Sequence, residues 1–170
     1  MGLTPSQLTA LKADILADPV LSAQPQNSDG AFAIAAAYNL TVTPDFWVWR
    51  TRVSKNEITQ QTSQDGTDFN WTGTGFITRS QGERDAWREL FDGGQVNPSL
   101  ANVRTAFQDI FSGGTPPAPA NRAHLLAVAR RKATRAEKLF ASGTGSTATP
   151  ATMSFEGSLN YQDVQEARNS

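Results

Sequence analysis

The chain has no cysteine, so disulfides, thiolate nucleophiles, iron–sulfur clusters and the common zinc sites are excluded together, and nothing marks a redox compartment. It has a single histidine, His124, which leaves any Ser-His-Asp constellation resting on one imidazole. No window approaches the ~20 apolar residues that span a bilayer. The opening Met1-Gly2-Leu3-Thr4-Pro5 also lacks the basic-then-apolar pattern of a secretory leader. Excess charge is missing too, with 15 Lys and Arg against 16 Asp and Glu. A chain so balanced has no global reason to coat nucleic acid or anionic membrane, and any such role has to come from local patches. A soluble protein with no membrane contact is expected. Its 170 residues suffice for a core, since a chain of this size buries roughly 70% of its unfolded surface.

What the sequence has in quantity is helix punctuation. In Leu3-Thr4-Pro5-Ser6-Gln7-Leu8, Thr4 stands as N-cap, Pro5 at the first helical position and Gln7 where a capping box closes, with Leu3 and Leu8 placed as a staple. Leu8, Leu11 and Ile15 then recur on one face until Asp18-Pro19 ends the run. Ser28-Asp29-Gly30 introduces a segment up to Tyr38 that is apolar on nearly all sides, which predicts a buried helix. Thr43-Pro44 repeats the cap-plus-proline start, and Ser54 with Glu57 offers another capping box, so residues 44–62 are expected as one bent helix or two short ones. Trp47, inside that apolar run, is expected in the core. From Thr62 to Arg79, glycines alternate with polar residues and with Phe69, Trp71 and Phe76, as in a loop or small hairpin.

Ser80 and Glu83 form a further capping box, ahead of a helix with Trp87, Leu90 and Phe91 on one side and Gly93-Gly94 at its end. Asn97-Pro98 starts the next, with Leu100, Val103, Phe107, Ile110 and Phe111 on one stripe. Beyond a proline-rich linker at 115–119, the longest pattern predicts a helix over roughly residues 121–142, carrying Leu125, Val128, Ala133, Ala136 and Leu139. The expected fold is mainly α. A small helical bundle would occupy residues 1–142, with a short loop or β-hairpin insertion at 62–79, and an extended C-terminal arm would occupy 143–170.

No catalytic, cofactor-binding or metal-ligating set emerges. His124 falls outside the apolar stripe of the long helix and reads as an exposed histidine without an orienting partner. Asp65-Gly66-Thr67-Asp68 reads as a turn that needs no metal. Gly73-Thr74-Gly75 and Gly143-Thr144-Gly145 lack the lysine and the strand-to-helix setting of a phosphate loop. The expectation is therefore a protein that is not an enzyme and takes no cofactor. Two carboxylates that meet only in space remain open to a small hydrolase, with Trp47, Trp49 and Trp71 as a sugar cleft.

Two features point to partners. Arg130, Arg131, Lys132, Arg135 and Lys138 concentrate on the long helix with Glu137 alone opposing them, a basic face for a neighbouring subunit or for DNA. Lys132 falls inside the apolar stripe and needs either to snorkel or to meet an acidic group. A DNA-binding regulator using the basic helix 122–138 is the alternative reading. In the arm, Met153, Phe155, Leu159 and Tyr161 alternate with polar residues at spacing two, Gly157 fills the missing apolar place, and Val164 follows. A strand with no evident partner in a helical protein predicts docking on another chain by strand addition or groove filling.

Four stretches carry a family likeness: Leu8-Thr9-Ala10-Leu11-Lys12, the alanine-rich helix leading into Pro44-Asp45-Phe46-Trp47-Val48-Trp49, the Arg130-Arg131-Lys132-Ala133 segment, and Gly143-Thr144-Gly145-Ser146 through Tyr161-Gln162-Asp163-Val164. In these the chain resembles the head-to-tail adaptor (head completion or neck connector) proteins of tailed bacteriophages. The resemblance implies a structural virion protein, made in the host cytoplasm and placed at the head–tail junction. It implies a homo-oligomeric ring, usually twelvefold, that docks on the portal protein, with a tail-proximal neck or tail-completion protein as its other partner. A terminal arm would reach the portal, with Gln165-Glu166-Ala167-Arg168 as its tip. DNA would pass through the lumen without sequence specificity during packaging and ejection. No catalytic or metal residue is implied.

Overall fold

The Thr4 hydroxyl accepts from the Gln7 backbone N–H while the Gln7 side chain accepts from the Thr4 N–H, and this capping box starts α1 (Pro5–Ala17). The computed structural model describes residues 2–72, 75–114 and 117–170. Leu8, Leu11 and Ile15 are buried from α1 as their spacing predicts, and the staple residue Leu3 is buried with them. Asp18 closes α1, and its carboxylate then caps α2 (Pro19–Ser22). The Asn27 side chain caps α3 (Ser28–Tyr38). This helix buries Ala31, Ile34, Ala35 and Tyr38 but leaves Phe32 55% exposed, so it is not buried all round. Alanine makes every side of it read as apolar, whereas only one side is packed.

The helix expected over 44–62 is mostly replaced by extended chain. β1 (Trp47–Trp49) and β2 (Val53–Ser54) precede a short α4 (Lys55–Gln60), started by the Ser54–Glu57 capping box. Aromatic and β-branched side chains in succession suit a pleated surface better than a helix. Among the described residues, the segment 62–79 is a loop with one turn of 3-10 helix at Phe76–Thr78. Gly73 and Thr74, within the Gly73-Thr74-Gly75 run, lie outside the described residues. The Ser80–Glu83 box opens α5 (Gln81–Leu90). β3 (Gln95–Val96) pairs antiparallel with β2, setting Val53 opposite Val96. α6 (Ala101–Ile110) buries Phe107 and Ile110, whereas Leu100, expected on the same stripe, sits before the first turn and is 50% exposed.

The long helix expected over 121–142 is four elements: α7 (Ala118–Val128), β4 (Arg130–Lys132), α8 (Arg135–Leu139) and β5 (Ala141–Ser142). Thr134 and Glu137 exchange the two bonds of a capping box and start a new helix inside a run of good helix formers. The basic helix 122–138 therefore does not exist as one helix, and a regulator that inserts it into a groove loses its recognition element. β4 instead pairs with β1.

The C-terminal segment is not an extended arm. β6 (Thr152–Met153) pairs antiparallel with β5, Met153 opposite Ala141. α9 (Tyr161–Asn169) packs on α1 and α3 and buries Val164 and Ala167. The Asn39 side chain accepts from the Leu159 N–H and donates to its carbonyl, both at 2.8 Å, which clamps the approach to α9.

Among the described residues, nine α-helices and three two-stranded sheets make the fold mainly α. None of these helices is long and apolar enough to cross a membrane. The chain divides into two compact units, one of Met1–Val48 with Lys132–Ser170 and one of Trp49–Arg131, rather than at residue 142. Unit 1 has a core of Leu8, Leu11, Ile15, Ile34, Tyr38 and Val164 with close-packed alanines. Unit 2 has an aromatic core around Trp87, Phe107 and Phe111.

Candidate functional site

The five basic residues fall on different elements and different units. In unit 1, Arg135 at the start of α8 reaches Asp14 on α1 and Asp18, each at 2.8 Å, and its guanidinium lies 4.7 Å from the centre of the Tyr38 ring. The Tyr38 hydroxyl donates to Asp14, so the four side chains close a network. The hydrogen bond from Arg135, with the Leu21 backbone N–H, holds the Asp18 carboxyl below its ordinary value. Burial, then the bond to Asp14, pushes the Tyr38 hydroxyl up. Burial opposes the charge of Arg135, but the bonds to Asp18 and Asp14 outweigh it and raise its pKa. Lys132 lies 2.8 Å from Asp45, so the acidic group it was expected to need is in its own chain. Lys138 is exposed and sits 5.6 Å from the centre of the Phe46 ring. Beside Arg135 and Lys138 runs a groove of about 780 Å³ with Leu40, Val42 and Leu139 on its wall, and Leu40 is 68% exposed.

Arg130 and Arg131 belong to unit 2. They border an open groove of about 280 Å³ with Arg50, Glu57, Gln61 and Gln64. Arg50 is fixed by Glu57 at 2.5 Å and by the Val128 carbonyl at 3.3 Å, and Arg130 pairs with Asp65. The Gln64 amide donates to the carbonyls of Ala127 and Arg130, at 3.2 and 2.5 Å. Burial works against the charge on Glu57, yet the Ser54 backbone N–H and the Arg50 guanidinium outweigh it and hold its carboxyl below the ordinary value. Sequence reasoning missed Arg50 altogether, because nothing local marks it and only the fold brings it to Arg130.

His124 is corrected from exposed to fully buried, at 0% exposure. Its Nε2 donates to the Ile58 carbonyl at 2.6 Å, and its Nδ1 lies 3.1 Å from the Thr67 hydroxyl and 2.9 Å from the Thr67 carbonyl. The imidazole thus braces α7 against α4 and the loop, which is a structural task. The buried stripe of α7 is Asn121, His124, Leu125 and Val128. That stripe differs from the one a helix continued to residue 142 would have, because α7 ends at Val128. Asn121, also at 0% exposure, accepts from the Asn70 N–H and donates to its carbonyl. The turn at this stretch runs from Ser63 to Gly66, whose N–H donates to the Ser63 carbonyl, with Gly66 at φ +74° and Asp65 engaged by Arg130. No group of three or more His, Asp or Glu among the described residues is arranged to hold a metal ion. Trp47 is half-buried and Trp49 buried, whereas Trp71 is 41% exposed with its indole N–H on the Thr59 carbonyl at 3.3 Å.

The residues expected to bind a partner through the arm are spent inside unit 1. Met153 stands on the paired strand β6, and Phe155 packs 5.5 Å from Phe140. Leu159 and Val164 are buried, and Tyr161 stacks on Phe32 at 4.3 Å. At the expected tip, Ala167 is buried and Arg168 donates to the carbonyls of Gln24 and Pro25. Of the alternating residues only Met153 stands on a strand, opposite Ala141 of the same chain, and Tyr161 opens α9. The strongest surfaces are therefore the exposed apolar positions and the arginine-bordered groove. No protein-family model, no curated protein and no solved structure matches the chain.

Proposed function

We propose that the chain is a structural connector subunit that assembles head-to-tail into a ring at the head–tail junction of a tailed bacteriophage. In this reading one face of the ring meets the portal protein, and the other meets a tail-proximal protein. The observation that carries it is the pairing of opposite charge with exposed apolar surface on the two units. Unit 1 holds five Lys and Arg against eight Asp and Glu, and unit 2 holds ten against eight. Unit 1 also exposes Leu16, Val20, Phe32 and Leu40 by more than half, and unit 2 exposes Ile77 and Leu100 to at least half. A heterologous contact between unlike surfaces closes into a ring when its rotation divides a full turn, and unlike charge steers its encounter. The likeness of the four stretches to connector proteins supplies the setting. The C-terminal segment takes no docking part, because its apolar residues are already packed.

Mass photometry of the purified chain, alone and mixed with a purified portal ring, tests this. A ring-sized species is expected in at least the mixture, and Leu16→Asp combined with Leu40→Asp should return it to monomer. A chain that stays monomeric at every concentration and leaves the portal ring bare overturns the proposal.

A further inference from the structure

We infer that the groove of unit 1 beside Leu40 and Val42 receives an extended peptide segment of a different protein, which adds a strand at Thr41 and meets Lys138 with a carboxylate. The inference goes beyond the connector reading and stands without it. The backbone sets the mode of binding. On either side of the Thr41–Thr134 bridge, the Leu40 carbonyl accepts from the Arg135 N–H at 2.9 Å and the Val42 N–H donates to the Ala133 carbonyl at 3.1 Å. In an antiparallel pair, the residue between two such bonds turns its own N–H and carbonyl to the opposite side. Those of Thr41 therefore face away from Thr134, and among the described residues neither has a hydrogen-bond partner. Thr41 is exposed, so this edge is open, and an open edge is a template for another chain. Pro44, which has no N–H, ends it.

An edge this short offers both bonds of one residue pair and leaves the rest of the affinity to side chains. Thr41 lines the same groove of about 780 Å³ as Leu40, Val42 and Leu139. Alternate residues of an extended chain share a face, so Leu40 and Val42 form an apolar pair for alternate side chains of the added strand. The charge in the groove names the remaining partner. Unit 1 has five Lys and Arg, and four of them are engaged within the unit. Arg135 holds Asp14 and Asp18, Lys132 meets Asp45, and Arg168 and Lys12 donate to backbone carbonyls. Lys138 is the fifth. It is exposed on the groove and, among the described residues, touches only the face of the Phe46 ring. Asp14 lines the groove too, but Arg135 and the Tyr38 hydroxyl already occupy its carboxylate. The groove therefore calls for one carboxylate on an extended backbone. A polyanion such as nucleic acid does not suit it, because unit 1 carries eight Asp and Glu against those five cations.

Panning a library of random linear peptides on the immobilised full chain, then titrating the recovered sequences as end-capped synthetic peptides by calorimetry, tests the groove. The recovered peptides should carry an Asp or Glu among alternating β-branched or aromatic residues. Methylating one alternate set of their backbone nitrogens should abolish binding and methylating the other set should spare it, since only one set faces Thr41. Lys138→Glu should weaken binding at least several-fold, and a peptide with Lys in place of its acid should restore it. Thermal melts establish that the variant folds. Recovery of no peptide overturns the inference. So does binding that ignores which set is methylated, or that is equal for both charges at position 138. A free chain whose assemblies lose mass with Lys138→Glu alone overturns it as well, because the occupant would then be a second copy. Mass photometry with the portal ring keeps the two proposals apart. Rings without groove-dependent peptide binding remove only this inference, and groove-dependent binding by a chain that leaves the portal bare removes only the connector reading.

Discussion

Unit 1 and unit 2 bury similar amounts of chain by opposite means. In unit 1 aliphatic residues of α1 pack against small side chains: Ala31, Ala136 and Ala167 are at 0% exposure and Ala35 at 4%, where α3 meets α8 and α9. Alanine lets backbones approach closely, and polar side chains such as Asn39 and Arg135 then tie the elements together. Unit 2 buries Ala118, Ala127 and Ala129 too, but its centre is aromatic. Trp87 is ringed by Phe91, Phe69, Phe111 and Phe76, with centroids 4.6, 5.5, 5.7 and 5.9 Å away, so a few large rings fill the space between short helices. Close helix contacts in unit 1 depend on particular residues being small, and the centre of unit 2 depends on particular residues being large. The two should therefore fail under opposite substitutions.

The largest effect should come from Trp87→Ala, at 1% exposure, which leaves a void among four rings and costs about 3–5 kcal/mol. Chemical denaturation gives the magnitude, and hydrogen exchange should show the lost protection concentrated in residues 49–131. Equal loss in both units would break the comparison. Ala136→Leu should do the reverse in unit 1, forcing α8 out of register at a cost of about 1–3 kcal/mol, with residues 1–48 and 132–170 losing protection first.

The smallest effect is a pH limb of different shape in each unit. Glu57 and Glu83 in unit 2 and Asp18 in unit 1 have carboxyls held below their ordinary values of 4.5 and 3.8. Their contribution is present above those values and is lost as pH falls through the folded pKa. Tyr38 is raised above its ordinary 10.0, so its contribution is complete below that value and is lost as pH climbs past it. Melts should fall in acid for both units, and an alkaline fall that Tyr38→Phe removes should be confined to unit 1.

The parts of this fold that were legible in the sequence are those encoded within four residues. The boxes at Thr4–Gln7, Ser54–Glu57 and Ser80–Glu83 form as their spacing requires, and so does the stripe of Leu8, Leu11 and Ile15. The box at Thr134–Glu137 has the same spacing, but it was hidden among Ala, Arg, Lys and Leu, whose helix propensity made one long helix the simpler pattern. A single helix over 121–142 would turn His124 outward and merge five basic residues into one face, whereas the helix that ends at Val128 buries His124. Strand pairings such as Ala141 with Met153, and the meeting of Arg50 with Arg130 at the groove, join residues far apart in the chain and leave no periodic trace.

The interleaved order of the two units has a consequence for birth at the ribosome. Residues 1–48 leave the exit tunnel with the apolar face of α1 and α3 complete and the helix that covers it, α9, not yet made. At about 5–20 residues per second, the intervening Trp49–Arg131 takes on the order of 4–17 s to synthesise. Unit 2 is continuous and can close on itself in that interval. Residues 1–48 are thus made before Trp49–Arg131 but completed after it, and until Tyr161–Asn169 emerges their uncovered face is a substrate for any chaperone that reads exposed leucine and isoleucine.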